Sequence, residues 1–212
     1  MYLYGASGHA KVIIDILRSR SIPVEGLIDD NPKINELLGY RVFHDWEGRV
    51  PLIISIGDNR IRYELVRKLN CEFGVAIDES AVVSPSTRID VGSVVMQGAI
   101  LQSEVIVGKH CIVNTGASLD HECVLENFVH ISPGCRLCGN VFVGEGTWIG
   151  AGCVVIPGVR VGRWSIVGAG SVVTRDIPDG VLAFGNRCKI IKTLDMDVLA
   201  NVKNGGGKMP FP

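Results

Sequence analysis

The stretch VFVGEGTWIGAGCVVIPGVRVG, residues 141–162, repeats itself every six residues. Val143, Ile149, Val155 and Val161 stand at one phase of the repeat, and Val141, Thr147, Cys153 and Val159 at another. Outward from this stretch the period holds without a break. From Ile77 to Val173, 17 consecutive hexads open on Val, Ile or Leu. Their fifth position, from Ala81 to Ser171, takes only Ala, Ser, Thr, Cys or Val. Neither the 3.6 period of a helix nor the alternation of a strand produces a strict six. A solenoid does, with three short strands per coil and a tight bend at each corner. The aliphatic residue fills the corner from inside, and the small residue fits the narrow space between faces. Glycine, at 26 of 212 residues, supplies the bends; that is about 12% against a usual ~7%. Seventeen hexads make between five and six coils. Stacked at ~4.8 Å, they form a prism roughly 25 Å tall, in which each coil packs only on its neighbours.

The repeat also accounts for most of the cysteines. Cys111, Cys123, Cys135 and Cys153 occupy the small interior position, where a thiol behaves as a compact apolar group. Cys135 and Cys138 form a C-x-x-C with no second pair at ligand spacing, which favours structural thiols over zinc.

Residues 1–75 read as a separate α/β domain, followed by the β-helix over 76–192 and a tail over 193–212. Tyr2 to Tyr4 is a short strand, and the turn Gly5-Ala6-Ser7-Gly8-His9 leads into a helix with Val12, Ile13, Ile14, Ile16 and Leu17 on its apolar face. Val24 to Ile28 is a second strand ending in Asp29-Asp30, and Pro51 to Ile56 is a third ending in Gly57-Asp58-Asn59. A helix over Arg60 to Leu69 follows. Alternation of this kind implies a parallel sheet with ligands at the carboxyl ends of its strands. Gly5 and Gly8 let a backbone approach a phosphate, and the helix N-terminus favours negative charge. Asp29 stands where an acid bonds a ribose hydroxyl. The full G-x-G-x-x-G is absent, and G-x-x-G alone also fits a plain strand-to-helix turn. Asp29 and the Gly57 turn tilt the reading towards a mononucleotide site.

Three histidines, His110, His121 and His130, are expected on the outer surface of the prism. His121 has a carboxylate on either side, in Asp120-His121-Glu122. A carboxylate partner orients an imidazole and raises its basicity, which suits a general base; a solvated surface histidine is the alternative. His121 and His130 are half a coil apart and project from different sides, so a site using both forms between subunits.

Formal net charge is −1, which gives no electrostatic footprint for nucleic acid or an anionic membrane. The first residues lack the pattern of a signal peptide, and no apolar run approaches the ~18 residues of a membrane span. Seven cysteines in this setting point to reduced thiols and a cytoplasmic protein.

The motifs Tyr4-Gly5-Ala6-Ser7-Gly8-His9, Leu27-Ile28-Asp29-Asp30, Ser55-Ile56-Gly57-Asp58-Asn59-Arg60-Ile61-Arg62, the hexads and His121-Glu122-Cys123 together resemble one group. It is the bacterial sugar acetyltransferases of the hexapeptide-repeat class, typified by the UDP-4-amino-sugar N-acetyltransferase of bacillosamine synthesis and the sialic acid O-acetyltransferases. The resemblance runs from residue 2 to about 192 and implies a left-handed parallel β-helix, a homotrimer, and acetyl transfer from acetyl-CoA without a metal. It implies His121 as general base and Glu122 as the residue raising its basicity. His130 would bond the acetyl carbonyl, with the Gly139 amide near the thioester and Ala151 and Ala169 along the CoA arm. Ser7, Gly8 and His9 would hold the diphosphate, Asp29 and Asp30 the nucleoside, and Gly57 the sugar nucleotide. Gly185-Asn186-Arg187-Cys188-Lys189 resembles the loop closing such β-helices, with Arg187 in place of the usual proline. The expected acceptor is a 4-amino-4,6-dideoxy sugar on UDP, GDP or dTDP, and a sugar or sialic acid hydroxyl is the alternative. A zinc site of the carbonic anhydrase kind, built from three histidines, and a non-catalytic scaffold are more distant readings. Asp195 to Val202 is expected as a short helix, and Gly205-Gly206-Gly207 as the start of a flexible tail.

Overall fold

A computed structural model describes residues 1–69 and 71–194; the expected helix over 195–202 and the glycine tail lie outside them. Strands β1 (Tyr2–Tyr4), β2 (Gly26–Ile28), β3 (Glu36–Leu37), β4 (Tyr40–Phe43) and β5 (Leu52–Ile54) form one sheet in the order β3-β4-β2-β1-β5. All neighbours in it are parallel except the β3–β4 hairpin. That hairpin was not foreseen. Its turn is Leu38-Gly39, with φ of 51° and 84°, so leucine holds a place usually given to Asn or Asp. Helix α1 (Gly8–Ser19) buries Ile13, Ile14, Ile16 and Leu17 against one face of the sheet, and α2 (Asn59–Leu69) follows β5.

From β6 (Ala76–Ile77) to β22 (Val172–Val173) the chain runs through two-residue strands six residues apart. Up to Val154–Val155 each pairs in parallel with residues 18 further on, as Ile106 does with Val124 and His130 with Trp148; the last three pair with residues 14 or 16 further on. Among the described residues these strands stack into three sheets. The solenoid ends on β23 (Val181–Phe184), with β24 (Lys189–Thr193) antiparallel at its edge. The aliphatic and small positions together form one continuous core.

The small interior residues do more than save space. Up to Cys153, where they carry a donor, it bonds the carbonyl 15 residues on, at the corner of the next coil; Ser165 and Ser171 bond Pro178 O and Gly168 O instead. Ser93 Oγ donates to Gly108 O (2.7 Å), Thr147 Oγ1 to Gly162 O (2.5 Å), Cys135 Sγ to Gly150 O (3.0 Å) and Cys153 Sγ to Gly168 O (3.1 Å). Cys111 and Cys123 do the same to Glu126 O and Cys138 O. The interior thiols therefore serve as donors to corner carbonyls as well as filler.

At the fourth hexad position every residue from Gly92 to Gly170 has positive φ. Glycine takes this conformation freely, whereas a side chain there costs of order 1–3 kcal/mol. Glu104, His110, Glu122, Phe128, Asn140 and Trp164 nevertheless stand there. Three of them share one corner under α2. The His110 ring stacks on Phe128, with centroids 5.1 Å apart, and Tyr63 of α2 meets Phe128 and Trp164 edge-on at 5.2 and 5.4 Å.

The first domain is docked on the solenoid rather than tethered to it. Its α1-side core continues into Ala76, Val94, Met96 and Ile112. From α2, Asn59 Nδ2 donates to Gly146 O at 3.0 Å and Thr147 O at 3.2 Å. His110 and His130 are consequently 3% and 8% exposed, so they are not surface residues as expected. Docking of the first domain covers them.

Candidate active site

His121 is the one histidine of the solenoid that stays on the surface among the described residues, its side chain 58% exposed. Its Nδ1 lies 3.0 Å from Glu122 Oε2. Glu122 reaches it because its own backbone is left-handed, with φ of 61°. Asp120 is turned away: its Oδ1 accepts the His121 backbone N–H at 2.8 Å. Of the two flanking carboxylates, then, Glu122 partners the imidazole. A carboxylate on Nδ1 fixes the tautomer that carries hydrogen there and leaves Nε2 bare as a proton acceptor.

One coil further on, Gly139 lies beneath the ring. A Cβ built on it would come within 2.5 Å of both Cε1 and Nε2 of His121. The glycine leaves space for the imidazole, so Gly139→Ala is expected to push the ring off Glu122. A misplacement near 1 Å costs roughly 10² in turnover. The measurement is kcat alongside a melting curve, and an unchanged kcat would remove the packing role of Gly139.

Ala151 and Ala169 are both exposed and stack in register on a third corner, within Gly150-Ala151-Gly152 and Gly168-Ala169-Gly170. Nothing lies within 4 Å of a Cβ on Gly152 or Gly170. Over these two coils the corner carries no side chain longer than a methyl.

The remaining expected residues gather at the carboxyl end of the first sheet. Ser7 is exposed and makes no side-chain cap, and Gly8 opens α1 with free space beside it. The orphan amides of that helix end face outward. Asp29 is largely used by the fold: its carboxylate accepts the Ala6 N–H at 2.7 Å and the Asn31 N–H at 2.9 Å. Asp30 is exposed and accepts Tyr4 Oη at 2.6 Å. Burial first, and then the Asp30 carboxylate, push the Tyr4 hydroxyl well above its usual pKa. His9 is half-buried, and its Nε2 has no partner among the described residues. Desolvation, with Arg62 nearby, lowers its pKa to about 4.

His130 sits where this sheet end meets the solenoid. Its Nδ1 is 3.2 Å from Gly57 O and its Nε2 3.2 Å from Asn114 Nδ2, and its ring stacks on Trp148. Burial, with Arg62 next, lowers its pKa to about 3. His121 stands at a corner of the prism and His130 in a strand of a flat face, His130–Ile131, and among the described residues no hydrogen bond or ring contact joins them.

Arg62, absent from the expected set of site residues, anchors this junction. It is 1% exposed and donates to five acceptors. They are His110 O (3.2 Å), Ile56 O (3.1 Å), Gly57 O (2.9 Å), Asn59 Oδ1 (2.8 Å) and Phe128 O (3.1 Å). Burial lowers its pKa to about 10.

Among the described residues no three His, Cys, Asp or Glu side chains converge to hold a metal ion. No helix among them is long and apolar enough to cross a membrane.

Residues 1–69 match the PglD N-terminal domain, and residues 140–175 match the bacterial transferase hexapeptide (six repeats). PerB from Caulobacter crescentus, solved with CoA and GDP-perosamine, is 42% identical over 90% of this chain and 96% of its own, with a TM-score of 0.86. The chain belongs to the bacterial sugar acetyltransferases of the hexapeptide-repeat class. It is accordingly an acyltransferase. The acetyltransferase domain of PglB from Neisseria gonorrhoeae FA1090 is 34% identical, covering 90% of this chain and 98% of that one, with a TM-score of 0.83. WeeI from Acinetobacter baumannii AYE is 26% identical over the same shares, with a TM-score of 0.82. Forms of the Caulobacter perosamine N-acetyltransferase with one histidine changed to asparagine or alanine were also solved with both CoA and GDP-perosamine bound. One curated relative, "Uncharacterized protein L142" of Acanthamoeba polyphaga mimivirus, is 32% identical over 101 residues, or 45% of this chain. The match spans about a fifth of that longer protein, 21% of its length.

Proposed function

We propose that the chain moves an acetyl group from acetyl-CoA to the 4-amino group of a nucleotide-linked 4-amino-4,6-dideoxy sugar, with His121 as general base. The observation that carries this reading is the exposed His121–Glu122 pair, 3.0 Å apart, seated over Gly139. The neutral amine attacks the thioester carbonyl carbon while His121 Nε2 takes its proton; the C–N bond forms and the C–S bond breaks. The resulting imidazolium is stabilised by Glu122 and returns the proton to the departing CoA thiolate. The amide of Gly139, next to the ring, receives the developing oxyanion. The CoA arm lies along the side-chain-poor corner of Ala151 and Ala169.

On the acceptor side, Ser7, Gly8 and the α1 N-terminus take the diphosphate. The unpartnered His9 Nε2 gains a phosphate or sugar oxygen as its partner. The exposed Asp30, with Asp29 behind it, reads the nucleoside, and Gly57 borders the sugar. Because His121 and the Ala151–Ala169 strip lie on different corners, a homotrimer completes the site between subunits. GDP is the first nucleotide to test, since identity is higher to the enzyme solved with GDP-perosamine, at 42%, than to the PglB domain, at 34%. GDP-, UDP- and dTDP-4-amino-4,6-dideoxy sugars offered with acetyl-CoA are expected to release free thiol and give an N-acetylated sugar, fastest with GDP. Thiol release only with hydroxyl acceptors would replace this reading with O-acetylation, and no acetyl-CoA-dependent turnover with any acceptor would end it.

A further inference from the structure

We propose that His110 makes the docking of the first domain acid-labile: the neutral imidazole seals the seam between the domains, and its protonation opens it.

The ring lies between the two domains and is held by both. Phe73, which bridges to Leu52 at the edge of the first sheet, meets it edge-on with centroids 4.6 Å apart. Phe128 of the solenoid stacks on it at 5.1 Å. From α2, Arg62 Nε donates to the His110 carbonyl at 3.2 Å. The residue is 3% exposed, and its backbone is left-handed with φ of 56°, a conformation glycine takes without strain.

This setting suits the neutral ring alone. Nδ1 is buried and has no hydrogen-bond partner among the described residues. A Cβ on Gly92 would overlap it, so that edge of the ring lies against backbone. The Gly92 N–H is already taken by Gly74 O at 2.7 Å. An imidazolium carries hydrogen on both nitrogens and needs an acceptor at each. Here Nδ1–H would find none, and the charge would lose the water that solvates it in an open chain. Arg62 from α2 and Lys109 from the same corner repel a further cation, and Asp90 on the neighbouring coil opposes them. Phe73 and Phe128 bring no charge. Burial first, and then Arg62 and Lys109, lower the His110 pKa to about 4.

The docked chain therefore binds fewer protons at this ring than the open chain does between pH 6.5 and about 4. Stability contributed by the neutral ring is complete above that window and is lost as the pH falls through it. From pH 7.5 to pH 5, the opening equilibrium constant is expected to rise roughly 30-fold on account of His110.

Denaturant unfolding of the full chain over that range, set against His110→Phe, tests this. The variant keeps an aromatic ring and removes the titrating nitrogen. His9, His130 and the carboxylates titrate in both proteins, so the difference between the two pH profiles isolates His110. The wild type is expected to lose roughly 30-fold more of its folding constant than the variant. A ring that only packs would offset the profiles by a constant amount, so parallel profiles overturn the proposal. His110→Asn, which tolerates a left-handed backbone and does not titrate, gives the same comparison where the phenylalanine variant fails to fold. NMR of the wild-type histidine rings is expected to find His110 neutral at pH 5.5, and titration at pH 6 or above overturns the proposal. Hydrogen exchange at pH 5 places the opening. It should be faster in the wild type than in the variant at the Arg62 and Gly74 amides, which bond Asp58 O and Leu52 O, and equal at Phe142 and Val154 in the solenoid. Equal rates at Arg62 and Gly74 overturn a role for His110 at the seam.

Discussion

His121→Ala is expected to lower kcat by roughly 10²–10⁴, the range for loss of a general base, while CoA still binds. The size of the effect follows from what the imidazole does in the proposed step. Without it, the amine nitrogen, whose hydrogens become acidic as the C–N bond forms, has no acceptor at the moment of attack, and water must collect the proton. Little of the loss can come from folding, because the side chain is 58% exposed and its hydrogen-bond partner is the equally exposed Glu122. An exposed pair of this kind adds about 0–1 kcal/mol to stability, so the variant should melt close to the wild type. Glu122→Gln keeps an oxygen for the Nδ1 hydrogen but removes the charge that supports the imidazolium, so its loss in kcat should be smaller. Single-turnover kinetics with acetyl-CoA and the best nucleotide sugar separate the chemical step from binding. A His121→Ala enzyme turning over near the wild-type rate would exclude His121 as the base and turn attention to bound water or the substrate.

How much of this was legible in the sequence differs by level. The solenoid was open to reading because its corner residues obey one strict period, and the structure puts a two-residue strand at each aliphatic position. The pairing of His121 with a neighbouring carboxylate was legible as proximity, and only the resemblance, not the residues themselves, singled out Glu122 over Asp120. That choice depends on the left-handed backbone at Glu122, and the signal was present in weaker form. The fourth hexad position is glycine at Gly92, Gly98, Gly116, Gly134, Gly146, Gly152, Gly158 and Gly170. A residue with a side chain at that phase accepts backbone strain and so draws attention. His110, Glu122, Phe128 and Trp164 are marked in this way, and each sits at the proposed base or under α2. The burial of His110 and His130 was harder to see, because a repeat describes the prism and not what docks on it. Even so, the outward residues of the covered face, Ala76, Val94, Ile112, His130, Trp148 and Ile166, are more apolar than those of the face with Arg88, Ile106, Val124, Phe142 and Arg160. Arg62 closed the Ser55–Arg62 motif of the resemblance but gave no signal of its role. In an amphipathic helix with Arg60, Arg67 and Lys68 it reads as one more solvated cation, and only the solenoid carbonyls beneath it reveal its use.

Arg62→Ala is expected to cost at least about 3 kcal/mol, the largest stability effect of any single side chain in the junction. The guanidinium satisfies four backbone carbonyls and the Asn59 amide with its five N–H groups. Removing it leaves buried acceptors without donors, each worth about 1–3 kcal/mol when no water reaches it, and leaves a cavity in addition. For a chain of this size 1 kcal/mol moves the melting temperature by about 2–4 °C, so a drop of roughly 6–12 °C is expected. Arg62→Lys keeps the charge but brings three donors in place of five, without the planar fork, so it should fall between the two. The carbonyls involved belong to both sides of the junction: Ile56 and Gly57 in the acceptor-side loop, His110 and Phe128 at the strained corner of the solenoid. The loss should therefore appear as undocking, with calorimetry resolving two transitions where the wild type gives one. The solenoid, whose core does not include Arg62, should keep the higher melting step. If Arg62→Ala melted as one transition within about 1 °C of the wild type, a shift worth less than about 0.5 kcal/mol on this scale, the first domain would be held by its apolar face alone. The five hydrogen bonds would then only offset the desolvation of the cation. The opposite result would mean that the acceptor loop is rigid because a buried cation, bound wholly by uncharged acceptors, clamps it to the solenoid.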